Sequence, residues 1–316
     1  RDIRLITERD SIGESFYFQL NGQPVFMKGA NYIPLRYFPG EATEADYRKL
    51  IQQCKDAHIN MLRVWGGGVY EDELFYDLCD QNGILVWHDF MFACSMYPGD
   101  DAFIQNVSAE ATEQVKRLRN HPCIALWCGN NENAEGWERW GWKSGLKPDE
   151  VTILQKGYDD VFKKLLPEIV AQQSNTDYWE SSPRLGRGDA RSITEGDSHY
   201  WGVWHDEEPF EVLQTKVPRF MSEFGMQSYP SEVVLMEMME DDEFIGISVG
   251  RTYGILDNVS NYEEQFLEGA TIEIYQQGVL KYTVPHLSDL LPSGNELLPL
   301  NYGIELLEPV GGIGDS

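Results

Sequence analysis

Positive charge is what this sequence has least of. Across 316 residues, 25 Lys and Arg stand against 52 Asp and Glu, a net charge of −27. No basic surface could dominate such a field, which excludes a nucleic-acid partner. Cysteine is sparse and unpaired in pattern: Cys54, Cys79, Cys94, Cys123 and Cys128 are odd in number and none shows CxxC spacing. Neither a disulfide framework nor a zinc site is expected, and all five read as buried free thiols. No apolar run approaches the ~20 residues of a membrane-spanning helix, so no membrane partner is expected. GxSxG, GKS, GKT and HExxH are all missing, removing the serine-elbow, P-loop and zinc-protease readings. The one glycine cluster, Gly66-Gly67-Gly68, lacks GxGxxG spacing and runs into Tyr70-Glu71, so it is not a dinucleotide loop. The chain begins at Arg1 without a methionine or signal peptide and reads as a piece of something longer.

What is present suits a large folded core, with 42% hydrophobic and 12% aromatic residues. Residues 1–28 look extended, with an Asn21-Gly22 turn between Phe16–Leu20 and Val25–Met27. Beyond them, short apolar runs alternate with amphipathic helices. Tyr47, Leu50, Ile51 and Cys54 share one helical face, and Thr43 with Asp46 resembles a capping pair. Further helices are expected around 72–79, through Phe103–Leu118, and from Pro148, where Pro167 should kink or restart the helix. Charge shifts near residue 230: residues 231–316 hold 16 acidic and 2 basic side chains. There, 231–242 reads as a Met-rich helix, and Thr271–Tyr275 followed by Val279–Val284 as a hairpin.

The strand candidates are short, apolar and non-alternating, as in a parallel sheet covered on both faces. Strand–helix alternation at this repeat gives a doubly wound sheet or a (β/α)8 TIM barrel. Six strand ends burst into polarity: Asn31-Tyr32, Arg63-Val64-Trp65, His88-Asp89, Asn130-Asn131-Glu132, His199-Tyr200-Trp201 and Glu223. A doubly wound sheet gathers ligands at one switch point, whereas a barrel collects groups from most strand ends, so the α/β barrel is favoured. Glu132 and Glu223 end the fourth and seventh candidates, with Trp65, Trp127, Trp201, Trp204 and the amides Asn31, Asn130 and Asn131 expected around them. Aromatic faces, amides and paired carboxylates are what a sugar ring and hydrolysis of its glycosidic bond require. One carboxyl must be held protonated to donate to the leaving oxygen, and Arg63 is the cation placed to keep the other ionised. Asp89 is read as a functional-site residue, the rival reading being that it orients His88 or caps the next turn.

Five ordered blocks across residues 25–230 resemble glycoside hydrolase family 2 β-mannosidases. They are Asn60–Glu71 (Asn-Met-Leu-Arg-Val-Trp-Gly-Gly-Gly-Val-Tyr-Glu), Val86–Cys94, Trp127–Asn133, Gly196–Trp204 and Arg219–Gly225. The resemblance implies a TIM-barrel catalytic domain over 25–230 and a retaining exo-β-mannosidase using no metal or organic cofactor. It implies Glu132 as acid/base, Glu223 as nucleophile, Asn131 on the sugar 2-hydroxyl and Arg63 holding the nucleophile. Trp65, Asp89, His199, Trp201 and Asn31 join them as expected sugar-binding residues. Residues 1–24 resemble the end of a preceding β-sandwich, and family-typical settings are periplasmic, secreted or lysosomal. Two departures stand out. Leu35-Arg36 follow Pro34 where family members carry an acid, and no Trp-Gln-x-Asn-Asp-type eighth-strand block follows Pro230. Another family 2 activity (endo-β-mannosidase, β-galactosidase, exo-glucosaminidase) and a catalytically silent carbohydrate-binding fragment are the alternatives.

Overall fold

A computed structural model describes residues 1–36, 38, 40–226, 272–276, 279–284 and 303–306. The chain divides into two units, Arg1–Gly225 and Met226–Ser316. In the second unit, β11 (Ile272–Gln276) pairs antiparallel with β12 (Val279–Val284) and β13 (Gly303–Leu306). The β11–β12 pairing is the hairpin that the alternating pattern predicts. The helix expected over 231–242 lies outside the described residues.

The first unit opens with an antiparallel meander: β1 (Ile3–Ile6), β2 (Tyr17–Leu20) and β3 (Gln23–Val25). A parallel sheet follows in chain order: β4 (Gly29–Tyr32), β5 (Met61–Val64), β6 (Leu85–Asp89), β7 (Ile124–Cys128) and β8 (Asp177–Trp179). Two further strands, β9 (Ser198–Tyr200) and β10 (Met221–Phe224), pair parallel with each other. Among the described residues no backbone ladder joins β8 to β9 or β10 to β4. Side chains do link them: Trp179 Nε1 donates to Asp197 Oδ1 at 2.8 Å, and Asn31 Nδ2 donates to the Ser222 carbonyl at 3.1 Å.

The helices form where capping and periodicity agree. In α1 (Glu44–Asp56) Thr43 and Asp46 complete a capping box, and Tyr47, Ile51 and Cys54 are buried. Asp72 caps α2 (Glu73–Asn82), which ends on left-handed Gly83. Asp100 caps α3 (Asp101–Leu118). Beyond the short α4 (Asn133–Arg139), α5 (Pro148–Tyr158) runs into a π-helical segment, Asp159–Leu165, before α6 (Leu166–Gln173). Pro167 sits where the π-helical segment runs on into α6, and the Phe162 carbonyl accepts from the Tyr178 hydroxyl at 2.6 Å. A short α7 (Gly202–His205) lies between β9 and β10.

Every residue of β5, β6 and β7 is buried, as two covered faces require. Side-chain alternation sends Leu62, Val64, Val86 and Trp127 to the core shared with the helices. Met61, Leu85, Trp87, Leu126, Cys128 and Trp179 point to the other face, which Phe16 and Phe18 of the meander cover. Phe16 lies 4.9 Å from Trp179 and 5.2 Å from Phe220 between ring centroids, so residues 1–24 close an aromatic inner core. Fully burying such an aromatic is worth about 1.5–3 kcal/mol. One step further along, the same inner face turns polar: Asn31 after Gly29, Arg63 after Met61, Asp89 after Trp87.

Candidate active site

Arg63 is the centre of this polar layer. Its guanidinium makes a two-pronged contact with Asp89 (Nη2–Oδ2 2.8 Å, Nε–Oδ1 3.3 Å). Nη1 donates to Glu223 Oε1 at 2.5 Å and to Asn31 Oδ1 at 3.1 Å, and Nη2 donates to Asn131 Oδ1 at 2.7 Å. Burial opposes its charge, but Asp89 and Glu223 outweigh burial and hold the guanidinium protonated. Asp89 is fully buried behind it and also accepts from Trp87 Nε1 and the Gly66 amide. Burial raises the Asp89 pKa against the pull of Arg63. Both of its oxygens are thus engaged by Arg63, Trp87 and the Gly66 amide.

Glu132 stands where three strand ends are stitched together. Asn131 N–H bonds the Phe92 carbonyl, Glu132 N–H bonds that of Ser182, and Cys94 N–H bonds that of Asn131, each at 2.8–2.9 Å. Glu132 itself takes a left-handed backbone (φ 61°) at the head of α4, as does Cys94 (φ 47°). Such conformations cost about 1–3 kcal/mol each and persist only where surroundings impose them, commonly at functional sites. The two residues touch: Cys94 Sγ–H donates to Glu132 Oε2 at 3.3 Å, where Asn131 Nδ2 also donates. Although the residue reaches the surface, partial desolvation of its thiol and the Glu132 charge push it up to about 12, so it stays a donor.

His199 joins the two carboxylates. Its Nδ1 lies 2.8 Å from Glu132 Oε1 and 3.4 Å from Glu223 Oε2. One oxygen of each carboxylate and this nitrogen all lie within 4.8 Å of one another. Burial raises the Glu132 pKa, but the hydrogen bond and charge of His199 prevail and hold it below the ordinary carboxylate range. That is opposite to the setting expected for a proton donor. Burial lowers His199 in turn, yet the charge of Glu223 and the Glu132 hydrogen bond raise it overall.

The structure brings Arg63, Asp89, Asn131, Glu132, His199, Glu223 and Asn31 into one network. Trp201 is half-buried, its ring 3.8 Å from where a Cβ on Gly225 would stand and 6.4 Å from His205 between centroids, and among the described residues no contact ties it to the network. Trp65 is half-buried with its ring over Gly67, where a Cβ would sit 2.0 Å away. A Cβ on Gly66 would meet the Phe92 carbonyl at 2.5 Å, so the triple glycine is a packing device. Three expectations are corrected. Trp127 is fully buried in the outer core, packed on Phe90 and His88, and does not face the carboxylates. Asn130 is turned toward the end of β8 and the start of α4, bonding Glu180, Ser181 and the Asn133 amide. Cys94 is exposed, unlike the other four cysteines. Arg36, in the place of the expected acid, pairs with Asp46 at 2.7 Å.

Sequence reasoning missed Asp197, Ser182 and Ser222. Asp197 is fully buried and accepts from Trp179, Ser182 Oγ (2.6 Å) and Ser222 Oγ (2.7 Å). Its only signal is an acid placed two residues before His199, on the same side of the strand. Among the described residues two groups of side chains have metal-compatible geometry, Glu132/His199/Glu223 and Asp80/His121/Cys123. Both are also explained by hydrogen bonding within the protein.

No family model matches the chain. Among known proteins it is 37% identical over 306 residues to a β-mannosidase of Bos taurus, covering 92% of this chain and 33% of that protein. To β-mannosidase B of Neosartorya fischeri it is 36% identical over 247 residues, covering 77% and 29% respectively. The solved β-D-mannosidase of Dictyoglomus thermophilum superposes with a TM-score of 0.71 at 39% identity, covering 85% of this chain and 32% of that one. The chain thus spans about a third of the length of the relatives it matches.

Proposed function

The chain belongs to the β-mannosidases of glycoside hydrolase family 2 over the third of their length that it spans, and from that premise we propose a retaining exo-β-mannosidase activity. Its substrate is a terminal, non-reducing β-D-mannose on an oligosaccharide or glycan. In this reading residues 25–230 are a (β/α)8 catalytic barrel, whose described strands are β4 to β10. Residues 1–24 come from the preceding sandwich, and 231–316 carry no assigned role. The observation that carries it is the close approach of Glu132 and Glu223, whose nearest oxygens fall within 4.8 Å. Carboxyl groups about 5–5.5 Å apart suit double displacement, whereas inversion needs roughly 6.5–9.5 Å to admit a water.

The chemistry follows from the contacts. Arg63 grips Glu223 through Oε1 and aims it, so the other carboxylate oxygen attacks the anomeric carbon. Glu132 delivers a proton to the departing oxygen, then removes one from the water that frees the sugar. Asn131, anchored by Arg63 through Oδ1, presents its amide beside Glu132, where a 2-hydroxyl would lie. Trp65 and Trp201 offer ring faces to the sugar's C–H surface.

Release of p-nitrophenol from the β-mannoside, β-galactoside, β-glucoside and β-glucosaminide separates the readings. Turnover of the mannoside far above the others is expected. A different preferred sugar would move the chain to another family 2 activity. No turnover of any by a cooperatively folding chain would leave a silent fragment.

A further inference from the structure

Glu132 poses a problem for the reaction just proposed. A general acid must carry a proton, yet His199 holds this carboxyl in its ionised form. The solution lies behind His199, in hydrogen bonds that leave little freedom. Asp197 is fully buried and accepts from three donors, Trp179, Ser182 and Ser222. The Trp179 indole can only donate to it, at 2.8 Å. Ser182 has one proton, and it goes to Asp197 Oδ2 at 2.6 Å. The Ser182 oxygen therefore meets His199 Nε2, 3.0 Å away, with lone pairs. Nε2 must bring the proton to that contact.

At the other edge of the ring, Nδ1 faces Glu132 Oε1 at 2.8 Å and Glu223 Oε2 at 3.4 Å. A lone pair facing two ionised oxygens would be repelled. The contact works in two forms: Nδ1–H donates to a Glu132 carboxylate, or a protonated Glu132 donates to Nδ1. In both forms Nε2 keeps its hydrogen.

We propose that Asp197, acting through Ser182, pins the Nε2 proton of His199, so that Nδ1 stores the proton that Glu132 draws on and returns during catalysis. This rests on Glu132 being the acid/base, as argued above. In the transfer the Nδ1–H bond breaks as Oε1–H forms. Imidazolium and carboxylate become imidazole and carboxylic acid, with no change in net charge and no redox step. The leaving oxygen takes the proton from Glu132, and the attacking water later restores it. His199 is thus a positioning residue that acts through Glu132. The other groups facing it set the balance: Glu223 from β10 favours imidazolium, Arg63 from β5 opposes it, and Glu135 on α4 lies within the same field.

Nitrogen-15 NMR of histidine in the full 316-residue chain tests the store without relying on turnover. At pH 7 both ring nitrogens of His199 should be protonated, with loss of the proton displaced upward from the ordinary histidine pKa of about 6.5. Asp197→Asn presents an amide donor to Ser182, which can then turn its proton toward Nε2. His199 should become neutral at pH 7, and Ser182→Ala should weaken the imidazolium in the same direction. A wild-type His199 lacking a proton on Nε2 would overturn the proposal, as would an unchanged titration in a folded Asp197→Asn or Ser182→Ala protein. A second readout is leaving-group dependence. His199→Gln should slow release of an unactivated alkyl alcohol at least about tenfold more than release of 2,4-dinitrophenol, which needs no acid. Equal losses on both would also overturn it. If the NMR behaves as expected while wild type cleaves no β-mannoside, the proposed activity fails and the imidazolium assignment stands.

Discussion

His121 and His199 each hydrogen-bond or closely face two carboxylates (with Asp77 a third, 4.0 Å from His121), on opposite sides of β7 along the chain, and they do different things. Around His121 the partners are distributed, with Nδ1 on Asp80 at 2.8 Å and Nε2 on Glu73 at 2.9 Å. Arg117 adds a third contact to Glu73, whose side chain is 52% exposed. Each nitrogen has its own acceptor, and the cluster ties α2 to the turn before β7. Around His199 both carboxylates converge on one nitrogen, the other being committed to Ser182. Its surroundings are almost dry. Residue types are nearly the same in the two clusters, so what separates a staple from a reactive site is which lone pairs compete for which proton, and how much water can intervene.

The largest effect that would sharpen this contrast is expected from Glu223→Ala. Aryl β-mannoside turnover should fall on the order of 10⁶-fold, the scale of losing a covalent nucleophile. His121→Gln should leave it unchanged, and a loss there comparable to that of Glu223→Ala would break the comparison. Next comes Glu132→Ala, which should cost about 10²–10⁴-fold on poorly activated leaving groups. Azide should restore turnover of activated substrates, because a small anion can replace the water that Glu132 would have deprotonated. Arg63→Met leaves Asp89 and Glu223 buried without their cation, and urea unfolding should report a loss of about 3–5 kcal/mol. By contrast, His121→Gln removes a partly exposed ion pair and should cost no more than about 1 kcal/mol in the same assay.

The pH dependence of stability carries a smaller effect. Burial lowers His121, but hydrogen bonds to Glu73 and Asp80 raise it overall. A raised histidine stabilises fully below its ordinary value of about 6.5 and loses that contribution as pH climbs through its folded value. The hydrogen bond from His121 holds Glu73 low, so its contribution is present above about pH 4.3 and vanishes as pH falls through its folded value. Thermal melts should therefore show wild type gaining over His121→Gln only inside that window. An advantage that kept growing into alkaline pH would contradict the assignment.

Much of the site was legible because polar residues at the ends of apolar runs, and helix caps, carry strong signals. Arg63, Asn131, Glu132 and Glu223 follow apolar runs directly, and the Thr43/Asp46 box marks its helix start without ambiguity. Trp127 was misplaced for a physical reason. β7 is buried on both faces, so polarity does not reveal which side chains point inward, and a register shift opposite Val86 and Trp87 inserts Ala125. The same blindness hid Asp197 and Ser182, which lie 15 residues apart and meet only through tertiary folding. Cys94 looked like one more buried thiol because its exposure follows from a left-handed backbone that no local residue preference announces.

Trapping the glycosyl-enzyme is the most direct test of the central claim, that Glu223 attacks while Glu132 and its proton store serve the leaving group. The full chain would be incubated with 2-deoxy-2-fluoro-β-mannosyl fluoride, digested and mapped by mass spectrometry. The account predicts one added fluoromannosyl group on Glu223, in the peptide containing Met221-Ser222-Glu223-Phe224, and none in the Glu223→Ala protein. A label on Glu132 or on any other residue would contradict it.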